Sequence, residues 1–198
     1  MCPVTHLQTM TPARRLPLVL GAAVGLLTWV LGYVLTYLLV AGEVEDSPIQ
    51  RFTEAVDGEP ATFEMVGWVF FNAHLVDTTF SGVPVIGGWS TNFISGEDGF
   101  SFVLYLIPVG LLVAAGIALG RSTGSEDVQS GVLAALTVVP GYVLASVVSV
   151  FLFEVTIAGA SGGPALLPAL FLAGVGYPVV CAGLGGALAA VSDEITYR

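Results

Sequence analysis

The sequence predicts an all-α membrane protein, a four-transmembrane-helix bundle with a partly folded extracellular loop domain between helices 1 and 2. Three observations lead there. Four uncharged runs, Leu16–Ala41, Phe100–Gly120, Gly131–Phe153 and Pro164–Val191, are each long enough, at about 1.5 Å per residue, to cross a hydrocarbon core of roughly 30 Å. Apolar residues make up 55 % of the chain, charged residues 10 %, and the mean hydropathy is +0.89, outside the range of a soluble domain. The runs are apolar or small all the way round, whereas helices of a soluble bundle keep a polar stripe.

Charge supplies an orientation and excludes some functions. The chain carries fifteen acidic residues against five arginines and has no lysine, so it offers no basic surface for nucleic acid or anionic lipid. Arg14 and Arg15 precede the first run, Arg121 follows the second and Arg198 ends the chain. Placing these four inside satisfies the positive-inside bias and predicts a multi-pass plasma-membrane protein with both termini cytoplasmic. Residues 1–15, 121–130 and 192–198 then lie inside, and 42–99 and 154–163 outside, with ten acids between Glu43 and Asp98. Ala13-Arg14-Arg15-Leu16 has the look of an export signal, but the apolar run that follows outlasts a signal core of about 7–15 residues, so a retained helix is expected. Cys2 and Cys181 fall in different environments and are not expected to pair.

Each element has its own signals. Helix 1 (16–41) opens with Pro17 in its first turn and carries Trp29, Tyr33 and Tyr37 on one face, read as a packing or lipid-facing stripe. Gly21-x-x-x-Gly25, Gly116-x-x-x-Gly120, Ala182-x-x-x-Gly186 and Gly183-x-x-x-Ala187 allow close helix approach, within one bundle or between copies. In the outer region Glu43–Ala61 is acidic, with a turn at Asp57-Gly58. A short apolar helix is expected near 63–76. Only twelve uncharged residues separate Glu64 from Asp77, about 18 Å of helix and too short to span, so this segment is placed on the membrane surface or capping the bundle, with Trp68, Phe70 and Phe71 packed there. Ser81–Ser95 suits an irregular hairpin. Helices 2 (100–120), 3 (131–153) and 4 (164–191) contain Pro108, Pro140 and Pro178, each predicting a kink. Glu126 and Asp127 favour the start of helix 3, and Ser161-Gly162-Gly163-Pro164 reads as a turn before helix 4.

Motifs for chemistry are sparse. There is no phosphate-binding glycine loop, no G-x-S-x-G elbow and no paired-cysteine site, so neither an enzyme nor a cofactor is expected. Trp68, Asn72, His74 and Asp77 form the candidate functional or capping segment. On a helix, His74 and Asp77 share a face and Asn72 points nearly the opposite way. Two ligands are too few for a metal without another donor such as Glu64 or Glu154, so the favoured reading has Asn72 and His74 hydrogen-bonding the loop or helix ends. Glu154 either ends helix 3 at the interface or faces the covering loop as a partner for Arg51 or His74.

Gly67-Trp68-Val69-Phe70-Phe71-Asn72-Ala73-His74-Leu75-Val76-Asp77-Thr78, after one transmembrane helix and before three more, resembles uncharacterised haloarchaeal four-helix membrane proteins, some loosely labelled transporters. The resemblance implies no catalytic residues. The lysine-free acidic exterior is similar to that of extreme halophiles.

Two functions stay open. One is a structural or accessory subunit that presents the acidic outer domain to a partner, beside the lipid bilayer itself, the partner being a second copy or another membrane protein. The other is a small transporter or channel subunit with proline-kinked helices, weakened by the lack of intramembrane charge. A midplane cavity lined by Tyr142, Ser146, Ser149 and Tyr177 favours transport; a dry core favours the accessory role.

Overall fold

The computed structural model describes residues 18–83, 87–95, 99–125 and 127–196. Calls on Cys2, Arg14, Arg15, Pro17, Glu126 and Arg198 lie outside these residues. The chain is mostly helical and contains four helices long and apolar enough to cross a membrane: Leu18–Glu45, Phe102–Ser122, Val128–Leu152 and Leu166–Ser192.

Helix α1 (Leu18–Glu45) runs for 28 residues, about 42 Å, and continues four residues past the uncharged run. Ser47 caps α2 (Pro48–Asp57), its hydroxyl accepting from Gln50 N at 3.2 Å, and Pro48 suits the first turn. Gly58, at φ 79°, ends the helix in the left-handed conformation that a side chain would disfavour. The expected acidic turn is thus a helix terminus. Helix α3 (Thr62–Asn72) follows.

A 3-10 turn, Phe102–Tyr105, leads into α4 (Leu106–Ser122). Asp127 forms a capping box with Ser130, Ser130 N donating to Asp127 Oδ1 at 2.7 Å, and so starts α5 (Val128–Ala135). These bonds hold the Asp127 carboxyl below its usual range. Another 3-10 turn, Leu136–Val138, joins α5 to α6 (Val139–Leu152). The fourth long helix is irregular: α7 (Leu166–Pro168), π-helical stretches Ala169–Gly176 and Pro178–Ala182, then α8 (Gly183–Thr196). The three prolines therefore act differently. Pro108 and Pro140 sit in the first turns of α4 and α6, where a missing N–H costs little, while Pro178 lies within the π-helical part of the last helix.

The all-α expectation needs correction, because the segments between the first and second and between the third and fourth long helices form a four-stranded antiparallel sheet. Strands β1 (Thr78–Val83) and β2 (Gly87–Thr91) form a hairpin within the expected Ser81–Ser95 region and just before it. Strands β3 (Val155–Ile157) and β4 (Ala160–Pro164) form a second one. The strand order is β2-β1-β4-β3, so these two interhelical segments are stitched together through β1 and β4. Thr78 faces Pro164, Phe80 faces Gly162, and Ser81 faces Ser161 with their hydroxyls 2.8 Å apart. Ser161–Pro164 is consequently strand rather than turn. Gly162 matters here, since a Cβ there would lie 2.9 Å from the Phe80 ring.

The helices approach closely through small residues within this chain. A Cβ on Gly25 would overlap the Val138 carbonyl, and one on Gly141 the Ala22 carbonyl, so α1 and α6 touch backbone to backbone. Gly116 likewise meets Ala182, and Gly131 meets Gly186.

Of the two placements expected for α3, the structure shows the one packed on the bundle. The helix is buried on every side from Met65 to Asn72, wedged against α1 and α6. Phe70 reaches the α1 backbone at Gly32, and the Phe153 ring fills the space beside Gly67. It is an inserted core helix, not one lying flat on a surface. The reason is its composition: Val66, Val69, Phe70 and Phe71 leave no polar face to turn outward.

Candidate functional site

The chain turns back at the end of α3, and there the polar side chains of the bundle core converge. Backbone hydrogen bonds from His74 N and Val76 N to Phe71 O close the turn, and Leu75 takes a φ of 60°. His74 is fully buried. Its Nδ1 lies 2.8 Å from Phe70 O and its Nε2 2.7 Å from Tyr142 Oη.

The tautomer follows from these partners. A carbonyl only accepts, so Nδ1 carries the proton and donates to Phe70 O. Burial lowers the imidazole pKa to about 4, against a smaller opposing effect of the Phe70 bond, so the ring is neutral at pH 7. Its Nε2 is then an acceptor, and the Tyr142 hydroxyl donates to it.

Around this pair the other polar groups are also satisfied. Tyr177 Oη donates to Ala73 O at 3.2 Å. Trp29 Nε1 donates to Ser149 Oγ at 3.0 Å, and Ser146 Oγ to Tyr142 O at 2.9 Å. Trp29 also lies against His74, ring centroids 5.3 Å apart, and meets Tyr142 edge-on at 5.0 Å. Along α6, Tyr142 is ten residues before Leu152, about 15 Å of helix, which places the pair deep between the long helices.

Asn72 is the second latch. Its Nδ2 donates to Val76 O at 2.8 Å, its Oδ1 accepts from Phe93 N at 2.8 Å, and its carbonyl accepts from Asn92 Nδ2 at 3.3 Å. One side chain thus ties α3, the turn and the segment after β2. Trp68, midway along α3, ties it to the end of α6, Nε1 donating to Phe153 O at 2.6 Å.

The structure does not assemble the other candidates. Because α3 ends at Asn72 and Leu75 reverses the backbone, His74 and Asp77 share no helical face, and Asp77 is exposed while His74 is buried. Glu154 is exposed; Arg51 pairs with Asp46 at 3.4 Å, and His74 with Tyr142, so Glu154 serves neither. Among the described residues no three His, Cys, Asp or Glu side chains stand together as metal ligands. The sequence leaves Tyr142, Ser146, Ser149 and Tyr177 either lining a cavity or in a dry core, and Trp29 in a stripe. Their joint role around His74 was not legible. The usable signal was that each is an isolated polar group in an otherwise apolar run, and such groups seek one another in a low-dielectric core.

A family model matches residues 3–193 of this chain. The chain belongs to that family, DUF7978, a family of unknown function. No curated protein and no solved structure matches it. The family match extends far beyond the dozen residues from Gly67 to Thr78, taking in the inserted helix, both outer hairpins and all four long helices.

Proposed function

We propose that this DUF7978 member is a non-enzymatic membrane subunit that presents an acidic outer cap to a partner membrane protein. The observation that carries the reading is the state of the core: the polar groups suited to lining a passage are buried and hydrogen-bonded to one another and to α3. Helix α3 fills the space that a passage would need. Two further features support it. The outer loops form one folded cap through the β1–β4 pairing, and that cap exposes carboxylates at Glu43, Glu45, Asp46, Glu54, Glu59 and Glu154. The transporter reading draws on the π-helical fourth helix, since such segments often accompany function.

The lysine-free, acidic composition also supports a halophilic source, and the arginine bias supports an outward-facing cap with cytoplasmic termini. Purified protein in proteoliposomes tests the function. The expected result is no flux of K⁺, Na⁺, Cl⁻ or protons above empty vesicles; flux that Tyr142→Phe alters would overturn the accessory reading. A photo-crosslinker at Glu59 in native membranes should give one discrete heteromeric adduct, and its absence counts equally against that reading. An impermeant thiol reagent should label a cysteine placed at Ser47 or Thr91 in intact cells; protection of both reverses the orientation.

A further inference from the structure

At the outer cap, α2 and the sheet enclose an apolar groove of about 550 Å³. Ile49, Phe52 and Val56 of α2 form one wall, and Trp89, Val155 and Ile157 the other. Among the described residues nothing covers it, and Phe52 is 66 % and Trp89 43 % exposed. On α2 these apolar residues share one face, and Arg51 and Glu54 lie away from it.

Its chemistry selects the occupant. Among the described residues no charged side chain lines the groove. Its polar side chains are already used: Thr53 Oγ1 donates to Ile49 O at 2.9 Å, and the Ser161 hydroxyl is bonded to that of Ser81. An extended peptide laid there away from the edge strands β2 and β3 would bury N–H and C=O groups with nothing to receive them, at a cost of kcal/mol each. A second copy of this chain is disfavoured by charge, because each copy carries a net −10 and its cap would meet the same exposed carboxylates. A hydrocarbon chain meets none of these objections. At about 30 Å³ per water-sized group, the groove has room for a chain of roughly fifteen to twenty carbons.

Position favours the same occupant. Phe151 and Leu152, at the end of α6, are 64 % and 55 % exposed, in the manner of lipid-facing residues. Val155 of the groove wall is three residues further along the chain, about 10 Å when extended. The groove is thus within reach of the outer edge of the bilayer.

We propose that this groove holds one hydrocarbon chain of a bilayer lipid drawn up from the outer leaflet. The acidic surroundings favour a zwitterionic or uncharged headgroup over an anionic one. This inference is independent of the partner reading, since a lipid-filled groove is compatible with either function class.

The test uses the full chain in phosphatidylcholine vesicles containing a phosphatidylcholine with a photoreactive diazirine in one acyl chain, with adducts mapped by mass spectrometry. Adducts are expected on Phe52, Val56 and the β2 and β3 peptides as well as on Phe151 and Leu152. Val56→Asp, which puts a charge in the wall, and Ala160→Trp, which fills the groove without a charge, should each reduce groove adducts at least tenfold while labelling of Phe151 and Leu152 stays constant. The two variants fail differently, so one that does not fold leaves the other decisive. Labelling confined to Phe151 and Leu152, or groove labelling that survives substitution in a folded variant, would overturn the proposal.

Discussion

Replacing Tyr142 by Phe isolates the contact at the centre of the bundle. The substitution keeps the ring, and hence its edge-on packing with Trp29 at 5.0 Å, and deletes only the hydroxyl that donates to His74 Nε2 across 2.7 Å. His74 is fully buried, so the orphaned acceptor cannot turn to solvent. Leaving such a group unsatisfied costs about 1–3 kcal/mol. At roughly 2–4 °C per kcal/mol for a chain of this size, melting should drop by about 2–12 °C. The assay is thermal unfolding in detergent, followed by circular dichroism and tryptophan fluorescence. A double-mutant cycle with His74→Ala sharpens it, because two residues that interact directly should show a coupling of about 0.5–3 kcal/mol. His74→Ala alone should also be destabilising, since it removes the donor to Phe70 O, and should release no bound metal. Equal melting of wild type and Tyr142→Phe, or fully additive effects in the cycle, would refute the pairing; an equivalent of zinc lost on His74→Ala would replace it with a metal site.

Three other predictions test separate features. His74 titrates near 6.5 in the unfolded chain and near 4 when folded, so between those values only the unfolded state takes up the proton; stability should fall by about 3 kcal/mol as pH drops through that window, and a His74→Ala variant with the same loss across it would disprove the assignment. Gly141→Leu should destabilise by at least about 1–3 kcal/mol because its Cβ would overlap the Ala22 carbonyl, whereas Gly110→Ala, with nothing within 4 Å, should be neutral or stabilising by up to about 1 kcal/mol; similar melting shifts for the two would remove the close α1–α6 approach from the account. The cap's carboxylates repel one another unless screened, so melting should be higher in molar KCl than in about 0.1 M KCl, and the reverse order would contradict a halophilic design.

The candidate site was legible in part, and the division has a physical cause. Trp68, Asn72 and His74 drew notice as polar or aromatic groups in an otherwise apolar segment, and each does hold the cap or core by hydrogen bonds. Asp77 joins His74 only on helical spacing, which holds only while the helix lasts, and Glu154 enters only as a further donor from a distant segment. Leu75, with its φ of 60°, ends that periodicity, and nothing in a leucine codon position announces a left-handed turn. The length of α3 leaves two placements open, on the membrane surface or capping the bundle. Twelve uncharged residues cannot span, but a helix too short to cross can still be inserted from one side when other helices cover it.

What the sequence determined by itself is what depends on neighbouring residues. Four apolar runs long enough to span, the helix start at Asp127, the break at Asp57-Gly58 and the hairpin tendency of Ser81–Ser95 all follow from local composition and local backbone preferences. The tertiary structure decided whatever joins distant segments: β1 with β4, so that two separate loops become one cap, and His74 with Tyr142, 68 residues apart. Such pairings are chosen by the whole packing. A strand edge or an imidazole buried without water must find a partner, but its own sequence neighbourhood does not say which of many equally suitable groups the folded chain will bring within reach.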